Sequence, residues 1–220
     1  MSTGELADPR EIWDGRFSRA MRRGVRHNYE PWLERWASIL RASGNLPILD
    51  LGCGSGFDSR YLLSRDFRVI SADFSRESLC VARRIAEQAE MVEMDLRGGM
   101  PFPEEAFQVI IANLCLHYFR WQQTQAILER VRGRLRVGGH LLARVNSTRD
   151  HYHGAVDHEM VERRCYIVGG ILKRFFDRED LRRLFETGWM VRGLEEQVIH
   201  CYRKPKVVWE VVAEKSEGSA

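Results

Sequence analysis

Three glycines at alternate positions, Gly52, Gly54 and Gly56, follow an apolar run in the stretch ILDLGCGSGFDS. Glycines between a strand and a helix let the backbone turn tightly and approach a ligand, often a nucleotide. The G-x-G-x-G spacing departs from the dinucleotide fingerprint G-x-G-x-x-G, whose last glycine would fall where this chain has Phe57, and no G-K-[ST] follows for a phosphate loop. Two acids sit where a nucleoside would use them. Asp73 ends VISAD and is placed to accept from both ribose hydroxyls, and Asp95 ends VEMD and is placed to accept from an adenine amino group. An acidic edge without a phosphate grip suits a cationic sulfonium with an amino-acid tail better than a pyrophosphate. S-adenosylmethionine (SAM) is such a ligand.

These residues need strand ends to hold them. The periodicity predicts strands in NLPILDL, FRVISAD, AEMVEMD, FQVIIANLCL and VGGHLLARVN. Between them, FDSRYLLSR, RESLCVARRIAEQA (with Ser75 as N-cap) and WQQTQAILERVRGRL read as helices. The near-continuous apolar run of FQVIIANLCL marks a strand covered on both faces. Upstream, Trp32, Leu33, Trp36, Ile39 and Leu40 recur at helical spacing after Pro31. Downstream, Asp177 caps REDLRRLFET, and WMVRGLEEQVIH and KVVWEVVAE form two late strands. The stretch from 147 to 176 is polar, histidine-rich and poorly periodic, and reads as a loop. The fold expected is α/β, a doubly wound, mostly parallel, seven-stranded Rossmann-like sheet with a C-terminal antiparallel hairpin.

Composition sets the outer limits. The 220 residues suffice for one well-cored domain, with 44% hydrophobic and 30% charged residues and a net charge of +3. Five scattered cysteines, with no C-x-x-C pair, argue against a disulfide framework or structural zinc and for a reducing, cytoplasmic location. No apolar run is long enough to span a bilayer, and the N-terminus lacks the apolar core of a signal peptide. The arginines between 10 and 26 read as a solvated helix face rather than a nucleic-acid arm, since no aromatic platform interleaves with them.

The ordered pieces LDLGCGSG, VISADFS, MDL, FQVIIANLCLHYF and LRVGGHLLARVN together resemble the class I SAM-dependent methyltransferases, nearest to small bacterial members of the tellurite-resistance and ubiquinone-biosynthesis type. The resemblance runs over about residues 28 to 146 and is loose beyond them. It implies that Gly52, Gly54 and Gly56 let the backbone approach the methionine and ribose portions of SAM, with Asp50 supporting their loop. It further implies that Asp73 binds the ribose hydroxyls with Phe74 beside it, that Asp95 and the Leu96 backbone face the adenine, and that Asn113 lies near the methionine end. Gln108 departs from the Asp common in the family, at a position read as structural. The chain is then a single methyltransferase domain, 1–220, with a helical lid at 10–42 and a substrate-covering insertion at 147–176.

Methyl transfer is an in-line displacement in which positioning and desolvation do much of the work, so an obvious catalytic residue is not required. Where the acceptor must lose a proton, His117 is the candidate base, and Tyr118 the candidate for shaping the substrate site. Arg144 and Asn146, at the end of the fifth strand, are candidates for orienting an acidic or polar acceptor. His27 and Tyr29 are candidates for folding over the sulfonium, and His151 and His153 for covering the substrate. Lys173 and Arg174 are placed to close the pocket with positive charge. The histidine-rich loop lacks metal-site spacing, so no metal is expected.

The expected partner is a small-molecule acceptor. Nucleic acid is disfavoured, because ANLCLHY replaces both the Asn/Asp-Pro-Pro-aromatic segment and the Pro-Cys nucleophile of nucleic-acid methyltransferases. Cyclase or lyase chemistry on SAM, and SAM binding without turnover, are the other readings one such fold admits.

Overall fold

The computed structural model describes residues 8–24 and 29–217. Five strands form the parallel part of the main sheet: β1 (Ile48–Leu51), β2 (Val69–Asp73), β3 (Glu90–Glu93), β4 (Phe107–Asn113) and β5 (Leu135–Asn146). Their spatial order is β3-β2-β1-β4-β5, so the chain winds one way from β1 and the other way from β4. The crevice between β1 and β4 is the topological switch point, where open α/β sheets bind ligands. Two late strands complete the seven: β10 (Lys206–Lys215) pairs antiparallel with β5, and β9 (Trp189–Ile199) lies outside it. The doubly wound sheet and its terminal hairpin are as the sequence predicts.

Alternation along β4 divides the core between the two faces of the sheet. Ile110 and Ala112 pack with Ile127 and Leu128 of α5 (Trp121–Arg134) and Leu181 of α6 (Arg178–Leu184). Val109 and Ile111 pack with Trp32, Leu33 and Leu40 and with Leu62 of α3 (Phe57–Leu63). Caps end the helices as predicted. Ser75 accepts from the Ser78 N–H at the start of α4 (Arg76–Ile85), and Asp177 accepts from the Asp180 N–H at the start of α6. The tryptophan segment differs from the single helix expected: it is a 3-10 turn, Trp32–Trp36, followed by the short α2 (Ala37–Arg41). Its two indoles are tied to opposite structures, Trp32 Nε1 to Asp58 and Trp36 Nε1 to Glu210. An α1 helix (Pro9–Arg23) precedes it and contains no fully buried residue.

The stretch from 147 to 176 is not a loop. After a 3-10 turn at His151–His153 it forms a second sheet of β6 (Glu159–Glu162), β7 (Cys165–Val168) and β8 (Ile171–Arg174), all antiparallel. Gly169 and Gly170 make its β7–β8 turn with φ of 58° and 77°. A two-residue turn with both φ positive matches the twist of flanking strands, and Gly-Gly supplies it without steric cost. Among the contacts that tie this segment to the domain, two stand out. Lys206 Nζ of β10 donates to Asp150 Oδ2 at 2.6 Å, with both side chains buried. Glu162 accepts from the Trp121 N–H at 2.7 Å, closing the N-terminus of α5, and also pairs with Arg174.

Candidate active site

A cavity of about 480 Å³ opens at the carboxyl ends of β1, β2 and β4. The predicted cofactor residues Asp50, Gly52, Gly54, Asp73, Phe74, Asp95, Leu96 and Asn113 all line it. Gly56 does not; it stands at the start of α3.

The glycines are needed for different reasons. Gly52 has φ +62°, and a Cβ there would lie 2.4 Å from the Cys115 Cβ, so a side chain is excluded by the loop after β4. Gly56 has φ +79°, and its Cβ would come within 3.0 Å of Ala82, so it lets α3 pack on α4. That close packing is the task of the third glycine in the longer dinucleotide pattern. Gly54 instead supplies an N–H, which donates to Asp73 Oδ2 at 3.0 Å.

Asp73 is held from both sides, because its Oδ1 accepts from the Ser75 N–H at 2.9 Å. Two backbone donors orient the buried carboxylate and leave lone pairs for a diol. Asp95 is bound by its neighbour Arg97, whose guanidinium donates at 2.6 and 3.0 Å. Partial burial raises the Asp95 carboxyl, but the hydrogen bonds and charge of Arg97 outweigh it and leave the group below the usual carboxylate range. A ligand amino group there has to share Asp95 with Arg97.

Asp58, one residue into α3, is a site residue that sequence reasoning missed. Its Oδ1 accepts from Tyr29 Oη and Trp32 Nε1, each at 2.9 Å, and its Oδ2 from Asn113 Nδ2 at 2.7 Å. Asp50 is buried beside it and accepts from the Ser59 hydroxyl at 2.5 Å. Burial, and then mutual repulsion with Asp58, push the Asp50 carboxyl up to about 8. Burial also raises Asp58 and Asp73. Among the described residues, no lysine or arginine hydrogen-bonds to any of these three carboxylates, and Asn113 Oδ1 is buried without a partner. Three carboxylates and an orphan carbonyl oxygen at one cavity end fit a ligand bearing positive charge and N–H donors.

The other half of the cavity is apolar. Trp13 and Phe17 of α1 enter it, with Tyr118 and Phe119 after β4, Leu172 of β8 and Tyr202 of the β9–β10 hairpin. Of these only Tyr118 is in the predicted set; the rest come from elements distant in sequence. Tyr29, predicted to cover the ligand, lines the cavity at Asp58. His27 falls outside the described residues.

Several predicted substrate residues are engaged elsewhere. His117, the candidate base, does not line the cavity; it is buried, its Nδ1 has no partner, and burial followed by the charges of Lys206 and Lys173 hold it neutral. Arg144 donates to Glu210 at 2.9 Å and Glu30 at 3.1 Å and stacks over Trp32, inside the domain rather than on the ligand. Asn146 is fully buried next to the Arg174 carbonyl. His151 and His153 are not on the cavity lining; His153 sits near the Lys204 carbonyl and packs edge-on against Tyr202, which is on it. Lys173 donates to the His153 carbonyl, and Arg174 packs over Trp121, so neither closes the pocket. Side chains at a strand end share an address in sequence, but the sheet's second face and the hairpin claim these ones.

A seven-stranded sheet in this order, glycine turn after β1, acid after β2 and cavity at the switch point form the arrangement that the resemblance to class I SAM-dependent methyltransferases implies. Comparison with known proteins agrees: residues 48–139 match the model of the family described as a methyltransferase domain. Over those residues the chain is similar to methyltransferase domains, and the solved relative described below carries S-adenosylhomocysteine. It is 30% identical over 118 residues to a ubiquinone biosynthesis O-methyltransferase of Paramagnetospirillum magneticum, covering 52% of this chain and 46% of that protein. It is 34% identical over 80 residues to an 18S rRNA (guanine-N(7))-methyltransferase of Schizosaccharomyces pombe, covering 36% of this chain and 30% of that one. The chain thus spans less than half the length of either relative. In structure it is similar to the 1,6-didemethyltoxoflavin-N1-methyltransferase of Burkholderia thailandensis, with a TM-score of 0.66, 22% identity, and coverage of 98% of this chain and 94% of that one. No helix among the described residues is long and apolar enough to cross a membrane.

Proposed function

We propose that this chain methylates a small-molecule acceptor bound beside SAM. The observation that carries the reading is the cluster of Asp50, Asp58 and Asp73, none of them hydrogen-bonded to a lysine or arginine among the described residues, with the orphan Asn113 Oδ1, all at one end of a cavity whose other end is apolar. Asp73 would hold the ribose hydroxyls, Phe74 and Leu96 would flank the adenine, and Asn113 and Asp58 would receive the amino-acid end. When bound, SAM supplies the methyl group: its S–CH₃ bond breaks as the acceptor–CH₃ bond forms, the electron pair stays on sulfur, and S-adenosylhomocysteine (SAH) leaves.

The chain's own side chains bind, orient and keep water out. Trp13 and Phe17 roof the cavity, supporting the reading of the N-terminal segment as a lid. Leu172 brings β8 to the same space, supporting the reading of 147–176 as a covering insertion. With His117 off the cavity lining, no imidazole among the described residues is placed to take the acceptor's proton. The reaction then favours an acceptor atom that is already nucleophilic or ionises readily.

Incubation with methyl-labelled SAM, a metabolite extract and total RNA tests the proposal. Formation of SAH with label in a low-molecular-weight product is the expected result. Label in RNA, or release of methylthioadenosine, refutes it.

A further inference from the structure

We propose that the acceptor is a flat, uncharged aromatic molecule, seated among Trp13, Phe17, Tyr118, Leu172 and Tyr202. This rests on the methyltransferase reading and assigns the substrate class of the same site.

Charge is divided unevenly along the cavity. Among the described residues, every buried carboxylate that lines it belongs to β1, α3 or β2. The half built from α1, the segment after β4, β8 and the hairpin presents rings and aliphatic chains. Arg120 is the one cation of that segment on the lining; its side chain is 48% exposed and faces Glu162 at 4.0 Å, at the rim. Among the described residues, Arg16 and Lys206 stand against the Trp13 and Tyr202 rings without reaching the lining. A charged acceptor would therefore surrender its hydration to this half with no lining counter-ion but Arg120 at its edge.

The rings also favour a flat partner. Trp13 stacks with Phe17 at 5.9 Å between centroids and meets Tyr118 edge-on at 5.2 Å. The Arg16 guanidinium lies 4.8 Å from the Trp13 ring centroid and occupies the indole from its own side. Offset stacking and edge contacts reward a planar guest over a branched aliphatic one of equal area. Burial keeps the Tyr118 phenol protonated, so it is available to donate rather than to take a proton. Size limits the guest as well, since about 480 Å³ must hold the nucleoside and its amino-acid tail in addition to the acceptor.

The test uses the full chain saturated with SAH and three probes: 1-naphthol, 1-naphthyl phosphate and spermidine. Binding is read by saturation-transfer NMR and titration. The expected result is saturable binding of 1-naphthol, weaker binding or none for the other two, and about a tenfold loss of 1-naphthol affinity in Trp13→Ala with SAH affinity kept within about threefold. Trp13 lies on a helix without fully buried residues, so its replacement leaves the core untouched. Leu172→Asp, which puts a negative charge in the same half, is expected to abolish 1-naphthol binding and again spare SAH. Tighter binding of either charged probe, no binding of 1-naphthol, or indifference of 1-naphthol to both variants overturns the assignment while SAH still binds. Failure to bind SAH at all overturns the methyltransferase reading beneath it.

Discussion

Replacing Lys206 with methionine removes the charge that pairs with Asp150 and leaves most of the stem's volume in place. The pair is nearly sealed from water, with side-chain exposures of 8% for Lys206 and 0% for Asp150. Asp150 keeps one further donor, the Val207 N–H at 3.2 Å, which orients its carboxylate but cannot neutralise it. Breaking a buried pair from one side strands the other charge, at a cost of about 3–5 kcal/mol. For a domain of this size each kcal/mol lowers Tm by about 2–4 °C, so Lys206→Met is expected to melt about 6–20 °C lower. The double variant Asp150→Asn/Lys206→Met removes both charges and should recover most of that loss, since replacing a buried pair is often nearly neutral. Calorimetry and urea unfolding of wild type, the single variant and the double variant supply the numbers. A single variant within about 1 kcal/mol of wild type, or a double variant no better than the single, would refute the account of this pair as a buried anchor for the insertion.

Three further outcomes follow from the cofactor half. Asp73→Ala removes the acceptor of two hydroxyl hydrogen bonds, each worth about 1.5–3 kcal/mol when the partner is charged, so SAH affinity should fall at least a hundredfold with the far-UV spectrum unchanged; a loss below tenfold excludes the ribose role. Asp50 holds a proton in the folded chain that the unfolded chain releases near the ordinary carboxylate value, so this group lowers stability as pH rises from about 4 to 8. A cationic ligand favours the ionised form, so SAM should bind more tightly as pH rises through that range and release protons on binding; calorimetry in buffers of different ionisation enthalpy measures the release, and Asp50→Asn should reduce it. Gly52→Ala faces a left-handed backbone cost of about 1–2 kcal/mol and overpacking against Cys115 of about 1–3 kcal/mol; urea unfolding showing less than 1 kcal/mol in total contradicts the close approach.

The cofactor half was legible because each of its parts lies within a few residues of a strand end. A strand's direction and length then fix where Gly54, Asp73 and Asp95 arrive. Asp58 escaped notice because nothing local marks it: its donors Tyr29, Trp32 and Asn113 stand 26 to 55 residues away. The apolar half is assembled in the same long-range way, from α1, β8 and the β9–β10 hairpin. Arg144 shows the opposite failure. Its position at the end of β5 suggested a ligand contact, but Glu210 from the neighbouring strand β10 claims the guanidinium. The β7–β8 hairpin did carry a readable signal, Gly169-Gly170 between the apolar pairs Ile167-Val168 and Ile171-Leu172. A two-glycine turn flanked by such pairs is a hairpin mark even inside a polar stretch.

Glu162 bears on how freely such enzymes can trade their covering parts. Arg120, at the N-cap of α5, offers no side-chain oxygen to the helix's first amides, and the Trp121 N–H is satisfied from β6 instead. The segment 147–176 therefore completes a helix of the scaffold as well as lining the cavity with Ile171 and Leu172. A graft that exchanged 147–176 for another enzyme's insertion, to borrow its substrate, would also uncap α5 unless the donor brought a carboxylate to the same point. Selectivity and scaffold stability are in this respect a single inherited unit.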